Sequence, residues 1–377
     1  MLKTNRQAFA AIIIATLGAA PAFADNAEIE ALKKQTQMLI KQQEILLKRI
    51  QELEKPKPAV QTGNSLQQVV RSSTRLKDAI VLSGVVEVEA GYSDHDTDGS
   101  SSDLVVATVE LGLEAQLTDN ISASIVALYE EDDTDLEIDV ATITLDDLAG
   151  TGIALTLGQD YLPFGAFDTN LVNDTLVLEA AETRETAALL SWEAAGFSAS
   201  VFVFNGDADG GSDTLENFGA SIGWGNDNIN LAADYTSNLF DSDGFGGFIE
   251  DNAANGFDDI DEAEGAYIVR AALNLESFSF LAEYLGAEES TIPTTTWINR
   301  ELEVLHTEMA VALGDWTLAL AYQETDDAED FLPEERISFG VTTAITDNIG
   351  IGIEYWKDED YDGLDSDNLV VQLNTAF

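Results

Sequence analysis

The sequence predicts an all-β chain: a transmembrane antiparallel up-and-down β-barrel of about 16 strands, preceded by a short α-helical coiled coil. Three observations carry that expectation. The last strand places Leu369, Val371, Leu373, Thr375 and Phe377 on one face and Val370, Gln372, Asn374 and Ala376 on the other. An amphipathic strand ending on an aromatic residue is the sorting signature of bacterial outer-membrane barrels. The opposite end reads as a secretory signal, and the stretch between alternates with period 2.

Residues 1–24 have the physical form of a signal peptide. Lys3 and Arg6 precede an apolar run from Ala8 to Ala20, and Pro21-Ala22-Phe23-Ala24 ends in an A-x-A site, which puts cleavage before Asp25. No later stretch approaches eighteen apolar residues, so only a closed barrel is left to cross a membrane. The expected location is the bacterial outer membrane, with the N-terminal coil in the periplasm.

Residues 25–55 repeat every seventh residue. Leu32, Leu39, Leu46 and Leu53 occupy d, and Ile29, Thr36, Gln43 and Ile50 occupy a. That spacing predicts a self-associating coiled coil, with a solvated amphipathic helix as the alternative. A homo-oligomer is expected, a trimer by analogy with common porin assembly. Residues 56–79 open with Pro56-Lys57-Pro58 and read as a linker.

From Ile80 the period changes to 2, and residues 80–377 form the barrel. The first strand alternates Leu82, Gly84, Val86, Val88, Ala90, Tyr92 with Ser83, Val85, Glu87, Glu89, Gly91. The second sets Val105, Ala107, Val109, Leu111, Leu113, Ala115 against Thr108, Glu110, Gly112, Glu114. An apolar face and a Gly/Ser/Glu face suit a lipid-facing exterior and a wet lumen. Short turns near 118–119, 146–152, 194–196, 225–228, 276–277, 314–315 and 346–348 alternate with eight longer segments, about 93–103, 131–135, 160–183, 206–214, 238–262, 287–301, 325–333 and 358–367. Sixteen strands follow, with both barrel ends on the short-turn side and an aqueous channel inside.

Charge divides the chain at the same boundary. Of 17 Lys and Arg, 12 lie in residues 1–79; of 70 Asp and Glu, only 7 do. The barrel therefore attracts cations and makes nucleic acid a poor partner. There is no Cys, and the two His, His95 and His306, are far apart. No spacing suggests nucleophilic or zinc catalysis, so the chain reads as a non-enzyme with no required cofactor.

Glu87, Glu89, Glu110, Glu114, Glu283, Glu308 and Glu354, with Arg184 and Arg270, are the expected pore-lining residues. A permeation wall explains so many acids better than a glycosidase pair. The third long segment carries Tyr161, Pro163, Phe164, Gly165 and Phe167. Its aromatic residues disfavour full exposure, which predicts a loop folded into the lumen as a constriction; a lid or an intersubunit latch is the alternative. Asp94-His95-Asp96-Thr97-Asp98-Gly99 and Asp358-Glu359-Asp360-Tyr361-Asp362-Gly363 match the first half of a calcium loop. Position twelve is Val105 in one and Leu369 in the other. Loop-bound calcium or another divalent cation is thus set against diffuse cation condensation on a solvated surface.

Four segments, Ser83–Ala90, Tyr161–Gly165, Glu182–Thr186 and Val203–Asp207, together with the order of signal, coil and barrel, resemble the siderophore porins of the LbtU type. The resemblance covers the mature chain. It implies outer-membrane uptake of a ferric siderophore without a TonB-type plug domain. A general cation-preferring diffusion porin is the alternative. A barrel whose acidic loops serve adhesion or divalent-cation bridging to lipopolysaccharide is the third reading. Outer-membrane lipid and lipopolysaccharide are the expected surroundings in each.

Overall fold

A computed structural model describes residues 80–97, 99–131, 134–206, 215–251, 264–288 and 301–377. The expected signal peptide (1–24), coiled coil (25–55) and linker (56–79) lie outside the described residues.

The strands are β1 Ile80–His95, β2 Gly99–Thr118, β3 Ile121–Tyr129, β4 Glu137–Leu145, β5 Ile153–Tyr161, β6 Arg184–Ala194, β7 Phe197–Phe204, β8 Asn217–Gly225, β9 Ile229–Thr236, β10 Ala266–Leu275, β11 Phe278–Ala287, β12 Glu303–Leu313, β13 Trp316–Asp326, β14 Glu335–Thr346, β15 Ile349–Glu359 and β16 Asp365–Ala376. Each pairs antiparallel with its sequence neighbours. β1 pairs with β16 from Val85↔Ala376 to His95↔Ser366 and closes the barrel. Closure removes both sheet edges, which is the condition for burying a sheet in hydrocarbon.

The seven short turns fall where alternation and turn residues place them. Ala195-Gly196 illustrates why. Both residues have positive φ (54° and 82°), the twist that a two-residue hairpin needs, and Gly196 meets it without strain. The other end carries the longer connections, with two exceptions, one of them the segment expected at 358–367, which pairing to Glu359↔Asp365 reduces to 360–364. β1 and β2 run on as a ribbon to His95↔Gly99, so the connection expected at 93–103 shrinks to 96–98. A polar ribbon in water needs no apolar face, and its alternation is therefore silent.

The ribbon also corrects the second strand. Glu87 pairs with Thr108 but Glu89 with Val105, so β2 carries a bulge there. Beyond it the faces exchange: Leu104 points outward and is 68% exposed, and Val105 sits opposite inward-facing Glu89.

Outward positions around the ring are large and apolar. Ile125, Ile143, Val201, Ile222, Phe280, Leu320, Ile353 and Leu373 all lie exposed. So wide an apolar belt fits a sheet solvated by lipid rather than water.

Inside, the expectation of an aqueous channel free of packed core fails over half of the ring. The third long connection (162–183) carries helix α1, Leu176–Ala181, and the fifth (237–265) carries helix α2, Asp243–Asp251. Both pack against inward side chains of the wall. Leu176, Val177, Phe245, Phe202, Phe204, Ile268, Leu285 and Val304 form one buried cluster. Ser242 Oγ donates to Ala180 O at 2.9 Å, and Asp243 N to Glu182 O at 2.8 Å, which joins the two loops. At Gly244 a Cβ would lie 2.0 Å from Glu179 O, so only glycine permits this approach of α2 to α1.

Candidate functional site

The third loop leaves β5 with Leu162 N bonded to Thr183 O at 2.9 Å, which pinches its base. Up to α1 it has no regular structure, so its N–H groups need acceptors from elsewhere. The barrel wall supplies them. Gly165 N donates to Asp234 Oδ2 (3.2 Å), and Ala166 N and Phe167 N to the two oxygens of Glu283 (2.9 and 3.0 Å). Thr169 Oγ1 and Asn170 Nδ2 both donate to Glu308 at 2.6 Å, and Asn170 N reaches it at 3.0 Å. Val172 N and Asn173 N share Glu354 Oε2 (2.7 and 2.8 Å), and Leu176 N ends the series on Gln323 Oε1 at 2.7 Å. Bonds to ionised acceptors each contribute about 1.5–3 kcal/mol.

Two wall glycines make room for the loop. A Cβ at Gly340 would lie 2.6 Å from Leu171 Cδ2, and one at Gly352 would lie 2.5 Å from Val172 Cγ2. Thr175 caps α1, its hydroxyl accepting from Leu178 N at 3.1 Å. Arg336 then ties the helix to the wall. Its Nε and a terminal nitrogen grip both oxygens of Asp358 (2.7 and 3.3 Å), and the other reaches Glu179 at 3.2 Å.

The pore-lining expectation divides accordingly. Glu283, Glu308 and Glu354 point inward but are buried, and each accepts hydrogen bonds from the loop, Glu354 through Oε2 alone. Arg270 faces inward with a terminal nitrogen 3.6 Å from Asp234. Arg184 is paired with Glu137 and Asp139, and Tyr161 donates to Asp139 at 2.9 Å. Glu87, Glu89 and Glu110 stand on β1 and β2, away from the wall residues that hold the loop, and Glu114 is exposed near the short-turn end. Glu89 accepts from Gln372 at 2.9 Å.

Of the constriction residues, Phe164 is buried and Phe167 packs against the same cluster. Gly165 takes φ 97° beside the Phe167 ring, and Pro163 is half-buried. Sequence reasoning missed Asp234, Gln323 and Arg336. A signal existed: a loop without secondary structure needs acceptors, and inward acids on the strands it crosses are where they must come from.

The two calcium-loop matches separate. Asp358 faces Arg336 and does not converge with Asp360 and Asp362, because strand alternation turns it into the lumen. Asp362 accepts from Leu364 N at 3.2 Å. Asp96 accepts from Asp365 N at 3.3 Å, Asp94 lies on β1, and Asp98 is outside the described residues. Among the described residues no three acidic, His or Cys side chains gather as a metal site would require.

The remaining acids cluster on the other side of the loop. Asp174, on its free edge, is raised above the usual carboxylate range by burial and then by Glu89 across the lumen. Glu182 is pushed up to about 7 by burial, and next by Asp243, Asp174, Asp139 and Glu130. Asp243 is pushed up to about 6 by burial, with Arg184 opposing. Acid therefore faces acid between the loop and the wall.

A closed sixteen-strand antiparallel barrel with a long third connection turned inward is a porin-like fold. It is similar to the outer-membrane channel DcaP of Acinetobacter baumannii (TM-score 0.58, 14% identity, covering 80% of this chain and 98% of that one). It is similar also to Salmonella typhi OmpF in complex with daunomycin (TM-score 0.59, 13% identity, 79% and 97%). No family model matches the sequence. In sequence the chain is similar to a UPF0422 protein of Legionella pneumophila (strain Lens), 22% identical over 320 residues, which are 75% of this chain and 59% of that protein. A UPF0422 protein of Coxiella burnetii is 22% identical over 304 residues, 75% of this chain and 64% of its own. The chain thus spans about three fifths of the length of the curated relatives it matches.

Proposed function

We propose that this chain is a bacterial outer-membrane channel that admits small solutes and prefers cations. The observation that carries the reading is the opposition of acids across the lumen. Glu87 and Glu89 on the wall face Asp174 on the loop and Asp139 faces Glu182, with Glu110 beside Glu87 and Asp139, while Arg184 and Arg336 are each engaged by two carboxylates. Fixed negative charge concentrates cations and repels anions within a Debye length, about 8 Å at 0.15 M salt. In planar bilayers under a potassium chloride gradient the reversal potential takes the cation-selective sign. An anion-selective or non-conducting barrel overturns the reading.

The resemblance to siderophore porins favours a narrower cargo, a ferric siderophore. The acid lumen then requires a neutral or cationic complex rather than an anionic carboxylate one. Iron-limited growth of a deletion strain fed individual ferric siderophores tests this: growth lost on one complex supports it, and unchanged growth on all leaves a general porin. Self-association through residues 25–55 belongs to the same proposal, and truncation of those residues should lower the assembly state.

A further inference from the structure

Along β7, β10, β11 and β12 the inward positions form two tiers. At the long-loop end stand Phe204, Ile268, Leu285 and Val304, each with 0% exposure. One or more inward positions below, the lining becomes Ser198, Arg270, Asn274, Ser279 and His306, joined by Asn230 of β9, around a chamber of about 1020 Å³. The third loop roofs the chamber with Ala166, Asp168, Thr169 and Asn170, and the turns at 194–196 and 225–226 stand at its rim. The apolar tier therefore closes it towards the long loops, and it opens towards the short turns. We infer that this chamber is a binding pocket for a hydroxyl-rich, non-anionic solute of about disaccharide size.

The size suits a small-molecule site, for which roughly 300–1,000 Å³ is usual. The chemistry selects the class. His306 is 1% exposed; Glu308 Oε2 stands 3.8 Å from its Nε2 and Gln323 lies beside it, but neither ring nitrogen makes a hydrogen bond of good geometry. A buried polar group left so costs about 1–3 kcal/mol, and a ligand hydroxyl removes that cost. Neutral imidazole offers one donor and one acceptor, as does each hydroxyl. Arg270 approaches Asp234 only to 3.6 Å, beyond hydrogen-bond reach, so its guanidinium N–H groups can point to ligand oxygens. Glu283 is already occupied by loop donors, and Asp168 and Glu193 leave the rest of the lining acidic, which turns away an anionic guest. Asn230, Asn274, Ser198 and Ser279 add neutral partners of both kinds.

The test uses the full chain in detergent micelles, with sucrose as probe and hexaethylene glycol, which has ether acceptors but donors only at its ends, as control. Saturation-transfer NMR should show transfer to sucrose and little to the glycol. Asn274→Leu and His306→Phe should each reduce the sucrose signal at least five-fold while heat-modifiable migration on gels shows the barrel intact. Should His306→Phe fail to fold, Asn274→Leu, nearer the short turns, decides. Absent transfer to sucrose, equal transfer to the glycol, or full binding by folded Asn274→Leu overturns the inference. None of these readouts depends on ion conduction, so its failure is separable from that of the channel reading.

Discussion

Between β7 and β12 the upper inward positions are Phe204, Ile268, Leu285 and Val304; on β1, β4 and β16 the corresponding end carries Ser93, Asp139 and Asn368. One half of the ring packs a two-helix insert and is dry at that end. The other half is polar, acidic and faces only the free edge of that insert. The contrast teaches that a barrel of this size need not be uniform inside. Inward side chains decide locally whether a loop is bound or water is kept.

Breaking the dry half should have the largest effect. Phe204→Ala removes a fully buried ring, at a cost of about 3–5 kcal/mol. Limited proteolysis should then cut within 162–183 and 237–251 while heat-modifiable migration persists; intact loops would mean that the apolar cluster does not hold them. Next comes the acid series beneath the loop. Glu308→Leu strips acceptors from Thr169 and Asn170 and should cost about 2–3 kcal/mol of loop docking. Faster cleavage near Asn170 and a noisier single-channel current are the measurements. Glu308→Gln should fall between.

The wet half should answer differently. Glu87, Glu89 and Glu110 changed together to Gln should lower the cation-to-anion permeability ratio several-fold and leave thermal unfolding nearly unchanged, since these groups hold no loop backbone. A loss of stability with selectivity intact would reverse the assignment of the two halves.

A smaller effect is expected from pH. Glu182 and Asp243 are raised to about 7 and about 6 when the loops are packed. Detached, they titrate near about 4. The packed form thus holds protons more tightly, and its stability falls as pH rises from about 4 to 7. The paired loops should be less protease-resistant at pH 8 than at pH 5, and Glu182→Gln with Asp243→Asn should flatten the difference. An unchanged pH profile in that double variant would locate the dependence elsewhere. The least effect is expected from calcium at the Asp358–Asp362 loop. Because Arg336 holds Asp358, calcium and sodium matched for ionic strength should protect equally.

Much of the barrel was legible because a strand in lipid must alternate. Leu369/Val371/Leu373 against Val370/Gln372/Asn374 sets the faces of β16 without reference to any other strand, and turn residues such as Gly196 and Gly314 set the ends. What misled was local and polar. The bulge near Val105 shifts the faces of β2 with no mark in composition, and the β1–β2 ribbon continues where no apolar face is required.

A period of 2 and a count of charges were enough to place the closed antiparallel sheet, its strand number, the direction of most side chains and the acid surplus. The role of each inward acid came instead from packing between distant segments. Glu283, Glu308 and Glu354 look like Glu87 and Glu89 in any strand-by-strand reading. They differ because a loop more than a hundred residues away in the chain brings unpaired N–H groups to the first set and not to the second. The same holds for Phe202 and Phe204, which are inward and apolar because α1 and α2 return to cover them. Such partners are distant in sequence, and hydrogen-bond satisfaction is a property of the whole packed molecule.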